Sequence, residues 1–310
     1  MALSLTTVLA PLLTVLFFAF SAIAGRRTTV ILDSMWANLW RLGLAAVLLA
    51  AVTLVMDPKS FGPEPFFWFF LSGMIGFGLG DIGLFLAYVR LGSRLTILIN
   101  LCLAPVFATA GEWLWLDTPP TWRKTMAIAL ILVGVGLAVL SKSGPEDRKP
   151  ELRASGLFWA MVAGFGQGVG ALISRIAEAR GLEQGVAVGA VSQAFQRCLG
   201  GLVVVIVVTA LAFQFKRKRG LNPGIVWDRR VVPWLIAAAL AGPVIGVSCF
   251  QWSLTEIGDS ARVLAITATT PIVLIPLAWI YEKDRPNLLA VAGAVVAVLG
   301  VMANYLWVDV

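Results

Sequence analysis

Histidine is absent from the 310 residues. The usual side chain for proton transfer near neutral pH, and the commonest metal ligand, is therefore missing. Cysteine occurs three times, as Cys102, Cys198 and Cys249, each inside an apolar run. None stands at metal-ligand spacing from another, so they read as small buried hydrophobes. Acid pairs at ligand spacing are lacking too. No metal and no cofactor is expected, and a nucleophile-and-base constellation has no residues to build it. Charge is scarce, at 13% of residues against 59% apolar, a balance far from that of soluble domains. Residues 1–15 hold no Lys or Arg. The first apolar stretch thus lacks the positive region of a signal peptide, and Ser21-Ala22-Ile23-Ala24 reads as part of a retained helix.

What the chain has in quantity is long apolar runs. Lipid demands that backbone groups be satisfied internally, which leaves helices or a closed barrel. The runs are continuous rather than alternating, so helices are expected. Ten spans are predicted, near residues 4–24, 34–56, 66–90, 93–116, 121–141, 154–176, 186–213, 231–255, 258–281 and 286–308. Short linkers carry the breakers, such as Asp57-Pro58, Pro119-Pro120 and Asn222-Pro223. The most polar linker, 144–153, divides a first five-helix unit (1–143) from a second (154–310). The net charge of +7 fits basic loops facing anionic lipid rather than nucleic acid. Of the 24 Lys and Arg, sixteen fall on the odd-numbered linkers and six on the even ones, leaving Arg41 and Arg197 inside spans. By the positive-inside rule both termini are expected on the non-cytoplasmic side of a plasma or inner membrane.

The two units repeat. At a shift of 166, Gly76, Gly80, Gly92, Pro105, Pro120 and Gly134 fall on Gly242, Gly246, Gly258, Pro271, Pro286 and Gly300 without a gap. Upstream the shift is 156, placing Gly25 on Gly181 and Arg41 on Arg197. Such periodicity marks an internal duplication. Five spans per unit is an odd number, so the second must enter the membrane the other way up. An inverted repeat of this kind suits a carrier whose central site faces each side in turn.

Three patterns resemble the drug/metabolite transporter superfamily, in its ten-helix EamA-like branch. An arginine stands early in the second helix of each half, in Trp40-Arg41-Leu42 and Gln196-Arg197-Cys198. Gly80-Asp81 opens an apolar stretch that ends in the turn Arg90-Leu91-Gly92-Ser93. An apolar helix with an internal proline and an acidic end follows, from Pro105 to Asp117 and from Pro271 to Glu282. The resemblance implies an all-α membrane transporter with a central cavity lined by helices 1, 3, 4, 6, 8 and 9. Departures exist: Leu116 stands where Glu282 has its counterpart, Ala278 where Glu112 has, and Val247 where Asp81 has.

Candidate residues carry two readings each. Asp81, mid-span, costs roughly 2.5–3.5 kcal/mol on insertion scales. It is a titrating group whose charged form a dry site disfavours, or a hydrogen-bonded structural acid. Glu112 shares a helical face with Thr109 and Pro105, and lines a cavity or reaches headgroups. Arg41 and Arg197 attract an anionic substrate, pair with Asp81 or Glu112, or serve structure alone. Trp40, Gln251 and Trp252 line a cavity, or the tryptophans anchor at the interface. Gln167 and Gln193 read as helix-to-helix amides. Thr267 and Thr270, before the Pro271 kink, line the site or bond their own carbonyls. Pro105 and Pro271 are expected to kink matched helices that face each other across the cavity.

The expectation is a carrier that moves a small metabolite or drug across the bilayer by alternating access, working as an exporter with protons as coupling ion. A membrane-embedded enzyme acting on lipid-linked substrates and a channel are the alternatives. The sequence leaves monomer and homodimer open.

Overall fold

The computed structural model describes residues 5–57, 60–116, 119–140, 150–220, 228–258 and 260–306, and the regular elements among them are helical. Ten helical rods follow in order: α1 (Leu5–Ile31), α2 (Ser34–Met56), α3 (Pro63–Leu91), α4 (Ser93–Leu116), α5 (Trp122–Leu140), α6 (Pro150–Glu183), α7 (Ala190–Lys218), α8 (Val231–Ile257), α9 and α10 (Leu288–Leu306). The ninth rod, α9, is in two pieces, Ser260–Thr267 and Thr270–Glu282. Among the described residues nine rods are long and apolar enough to cross a membrane; the described apolar part of α10, Leu288–Ala303, is shorter. Several helices outrun their expected bounds. α1 continues through Arg26 and Arg27 to Ile31, and α6 runs to Glu183 rather than 176. Apolarity marks the part of a helix in lipid, not its end, so polar turns beyond the bilayer escape a hydropathy reading. α6 opens at Pro150, inside the expected linker, whose residues 144–149 lie outside the described ones.

Local chemistry sets the boundaries. Asp33 caps α2, its carboxylate accepting from the Met35 N–H at 3.0 Å, which satisfies a donor at the helix start. Gly92 joins α3 to α4 at φ 84°, and Gly258 follows α8 at φ 66°. Residues with a Cβ rarely hold such angles, so these matched turns use glycine. Gly25 and Gly181, also matched, sit within α1 and α6.

The packing obeys a two-fold rule. α1 lies against α8 and both pieces of α9, and α6 lies against α3 and α4 in the same manner. α2 packs on its own counterpart α7, and α5 on α10. The molecule is therefore an all-α membrane protein of two inverted five-helix repeats. The halves interlock, because the first and sixth helices each bury themselves in the opposite half.

A second matched feature lies in α3 and α8. Each contains a turn of π geometry, Met74–Gly80 in α3 and Leu240–Val244 in α8, which start at the same position once shifted by 166. The wider i→i+5 turn inserts an extra residue per turn and is a frequent mark of functional sites.

Candidate functional site

The two π turns border one cavity between the halves. It measures about 70 Å³ and draws its lining from α1, α2, α3, α4, α6, α7 and α8. Phe18 and Ser21 come from α1, Asn100 from α4, Gln167 from α6, and Pro243, Val247 and Phe250 from α8. Arg41 and Arg197 enter from α2 and α7, helices outside the lining set the family resemblance implies. Among the described lining residues none comes from α9, which that set includes.

Close helix approach lets both arginines in. A Cβ on Gly242 would stand 2.9 Å from Arg41 Nη1, and one on Gly76 3.0 Å from Arg197 Nη2. Each guanidinium is thus seated over a bare glycine of the opposite half, in the π turn. Both side chains are almost fully buried. Each also lies over a ring: Arg41 4.8 Å from the Phe85 centroid, Arg197 5.4 Å from that of Phe77, cation–π contacts that strengthen when water is excluded.

Their hydrogen-bond partners differ in kind. Arg41 donates to Asp81 in a buried ion pair and to Asn38 Oδ1 at 3.2 Å. The sequence placed Asp81 as a candidate partner of Arg41, and the geometry brings them together. Arg197 has no such acid: Val247 stands where Asp81 has its counterpart. Its Nη1 donates to Gln251 Oε1 at 2.5 Å, Gln251 Nε2 donates to Gln193 Oε1 at 2.8 Å, and Gln193 Nε2 donates to the Val188 carbonyl at 2.8 Å. The Nε of both arginines, the Nδ2 of Asn38 and the Oδ1 of Asn100 are buried without a partner.

The remaining candidates fall elsewhere. Trp40 is 45% exposed and faces outward from its helix, an interface position. Trp252 donates from its indole N–H to Glu256 at 3.2 Å. Thr109 is buried and Glu112 half-buried, near the end of α4 and not among the lining residues. Asp117 lies outside the described residues. Thr267 and Thr270 turn their hydroxyls onto the carbonyls of Leu264 and Thr267, at 3.1 and 2.6 Å, the local back-bonding open to any membrane hydroxyl. Pro105 and Pro271 do not face each other across the cavity. Both are buried, yet neither lines it; α4 runs unbroken past Pro105, while α9 is interrupted just before Pro271. The helix distortion that shapes the cavity is the pair of π turns instead, with Pro243 inside one of them.

Contacts between the halves bridge both ends of the molecule. At the odd-linker end Arg94 grips Asp284 with Nε at 3.0 Å and Nη2 at 3.3 Å, and Glu282 accepts from the Ser93 N–H at 3.3 Å. Lys216 meets Asp33 there at 2.9 Å. At the other end Asp57 accepts from the Gly189 N–H at 3.0 Å and Ser192 Oγ at 2.8 Å, and Gln196 donates to the Ser60 carbonyl at 2.8 Å.

A family model described as the EamA-like transporter family matches residues 5–140 and 154–306. The chain is similar to a solved structure titled only as a crystal structure of a protein, at TM-score 0.65 and 15% identity, covering 97% of this chain and 96% of the other. At that identity the likeness speaks to fold alone. No curated protein matches.

Proposed function

The chain belongs to the EamA-like transporter family, within the drug/metabolite transporter superfamily, and we propose that it carries a small organic solute out of the cell by alternating access. The observation that supports this reading is the cavity between inverted halves, bridged at both ends by contacts that join one half to the other. At about 70 Å³ it has room for a few waters, whereas small-molecule sites run to roughly 300–1,000 Å³. A solute enters only if one set of bridges parts. The two-fold rule makes the opposite motion an equivalent rearrangement of the other half.

The membrane in this reading is the plasma or inner membrane, with both termini outside. A reporter active only in the cytoplasm, fused after Val310, stays silent. Protons are the proposed coupling ion and Asp81 their carrier. Its charge is balanced by Arg41 in this arrangement, and a shift of either helix changes that balance, so proton binding favours one state over another.

The test is flux in proteoliposomes. Saturable uptake with counterflow supports a carrier; flux that never saturates supports a channel. Asp81→Asn, once shown to fold, keeps exchange and loses accumulation driven by a pH gradient. Uphill transport equal to the parent removes Asp81 from coupling. Direction is read from medium and cell contents of a deletion strain, in which an exporter's solute builds up inside.

A further inference from the structure

The charged groups among the described lining residues are two guanidiniums and one carboxylate. With all three ionised the cavity holds one positive charge in excess. A buried charge without an opposite one is costly, and a carrier site that keeps one has a use for it. The excess resides at Arg197. Arg41 is bonded to Asp81 on the next helix, whereas Arg197 donates to the amide oxygen of Gln251 and feels Asp81 only through space; the Nε of each arginine is buried without an acceptor. An amide presents one acceptor oxygen where a carboxylate or phosphate presents two or three to the guanidinium fork.

We propose that the transported solute carries a carboxylate or phosphate group, and that this group replaces Gln251 on Arg197. The inference deepens the carrier reading and rests on it. Gln251 is a removable stand-in. Its own amide N–H holds Gln193, and Gln193 lines a second cavity of about 320 Å³ that is bordered by Arg175, Glu178, Thr255 and Gly258 near the ends of α6 and α8. The two glutamines thus lie between the central cavity and that vestibule. An anion that takes Arg197 from Gln251 also breaks the chain of hydrogen bonds to Gln193. Binding and opening toward the vestibule are then one event. Asn100, with its free Oδ1 in the lining, supplies an acceptor for a donor group elsewhere on the solute.

The full-length protein in proteoliposomes is given radiolabelled solutes as matched pairs: carboxylic acids beside their primary amides, and sugar phosphates beside the free sugars. Hydrogen bonds to a charged group contribute enough that the neutral twin is expected to be weaker by roughly tenfold or more. The two kinds of pair separate carboxylate from phosphate cargo. Arg197→Gln is expected to abolish saturable counterflow of the anion, and Arg197→Lys, which keeps the charge and loses the fork, to retain a fraction. Gln251→Glu supplies the carboxylate from within the chain. It is expected to raise the melting temperature and block uptake, so a silent variant is distinguished from an unfolded one. Preference for the neutral or a cationic twin, or Gln251→Glu moving the anion as well as the parent does, overturns the inference and leaves the carrier reading intact. Absence of saturable counterflow for both twins of every pair overturns both.

Discussion

Arg41 and Arg197 occupy matched positions on α2 and α7, each seated over a glycine of the opposite half and each over an aromatic ring. The first half then answers its arginine with Asp81, and the second answers with two amides in series. The backbone symmetry is kept where helices cross, at the π turns and the glycine joints. It is broken where side chains meet the cavity. An inverted repeat needs equivalent packing to exchange conformations, and packing is what the halves share. A solute has no such symmetry, and the residues facing it are free to differ.

The largest expected effects break the comparison at the arginines themselves. Asp81→Asn leaves Arg41 buried with its charge uncompensated, a loss of about 3–5 kcal/mol. Arg197→Met removes a charge with no acid bonded to it, and is expected to change stability by about 1 kcal/mol or less, in either direction. Thermal or denaturant unfolding of the two variants side by side measures the gap. Equal losses would show that the halves treat their arginines alike.

Next come the seats. Gly242→Ala sets a Cβ 2.6 Å from Ser21 Oγ and 2.9 Å from Arg41 Nη1, whereas Gly76→Ala meets Arg197 Nη2 at 3.0 Å. Both variants share the helix-propensity gain of alanine. The first crowds a buried ion pair and is expected to lose about 1–3 kcal/mol; the second crowds a guanidinium bonded to a neutral amide, at a slightly longer distance, and loses less. Reversed order in a melting experiment would place the tighter constraint on Arg197.

The smallest effect lies at the ends. Arg94 grips Asp284 beside Glu282, but its counterpart is Ser260, and the positions matched to Glu282 and Asp284 are Leu116 and Thr118. Arg94→Ala leaves the largely buried Asp284 without its two charged hydrogen bonds, is expected to cost about 2 kcal/mol, and to favour opening at that end. Ser260→Ala, whose hydroxyl has no partner, is expected to stay within about 0.5 kcal/mol of the parent.

The architecture was readable from the chain because it rests on backbone demands. Glycine and proline at fixed shifts report turns and crossings, and apolar length reports spans. Asp81 with Arg41 was readable as well, since a lone acid in lipid needs a cation. The π turns were not. Met74–Gly80 and Leu240–Val244 contain glycine in a pattern equally suited to plain close packing, and hydrogen-bond register leaves no mark on hydropathy. Pro105 and Pro271 were expected in the lining and are not there. Proline removes one hydrogen bond; α9 is interrupted just before Pro271, while α4 stays helical past Pro105. Thr267 and Thr270 look like lining in a list of residue types. Only rotamer geometry shows that each hydroxyl is spent on its own helix. Asn100 gave no signal beyond being polar in a span.

Alternating access through interlocked halves has a direct measurement, the distance between spin labels across each end of the full-length protein in a bilayer. Suitable exposed positions are Val89 with Leu288 at one end and Phe67 with Leu182 at the other, in a background where the three buried cysteines are replaced by alanine. The expected result is two populations in which one distance lengthens while the other keeps its short value, exchanging places as solute and pH are varied. Both distances lengthening together, or neither moving under conditions of transport, would contradict it.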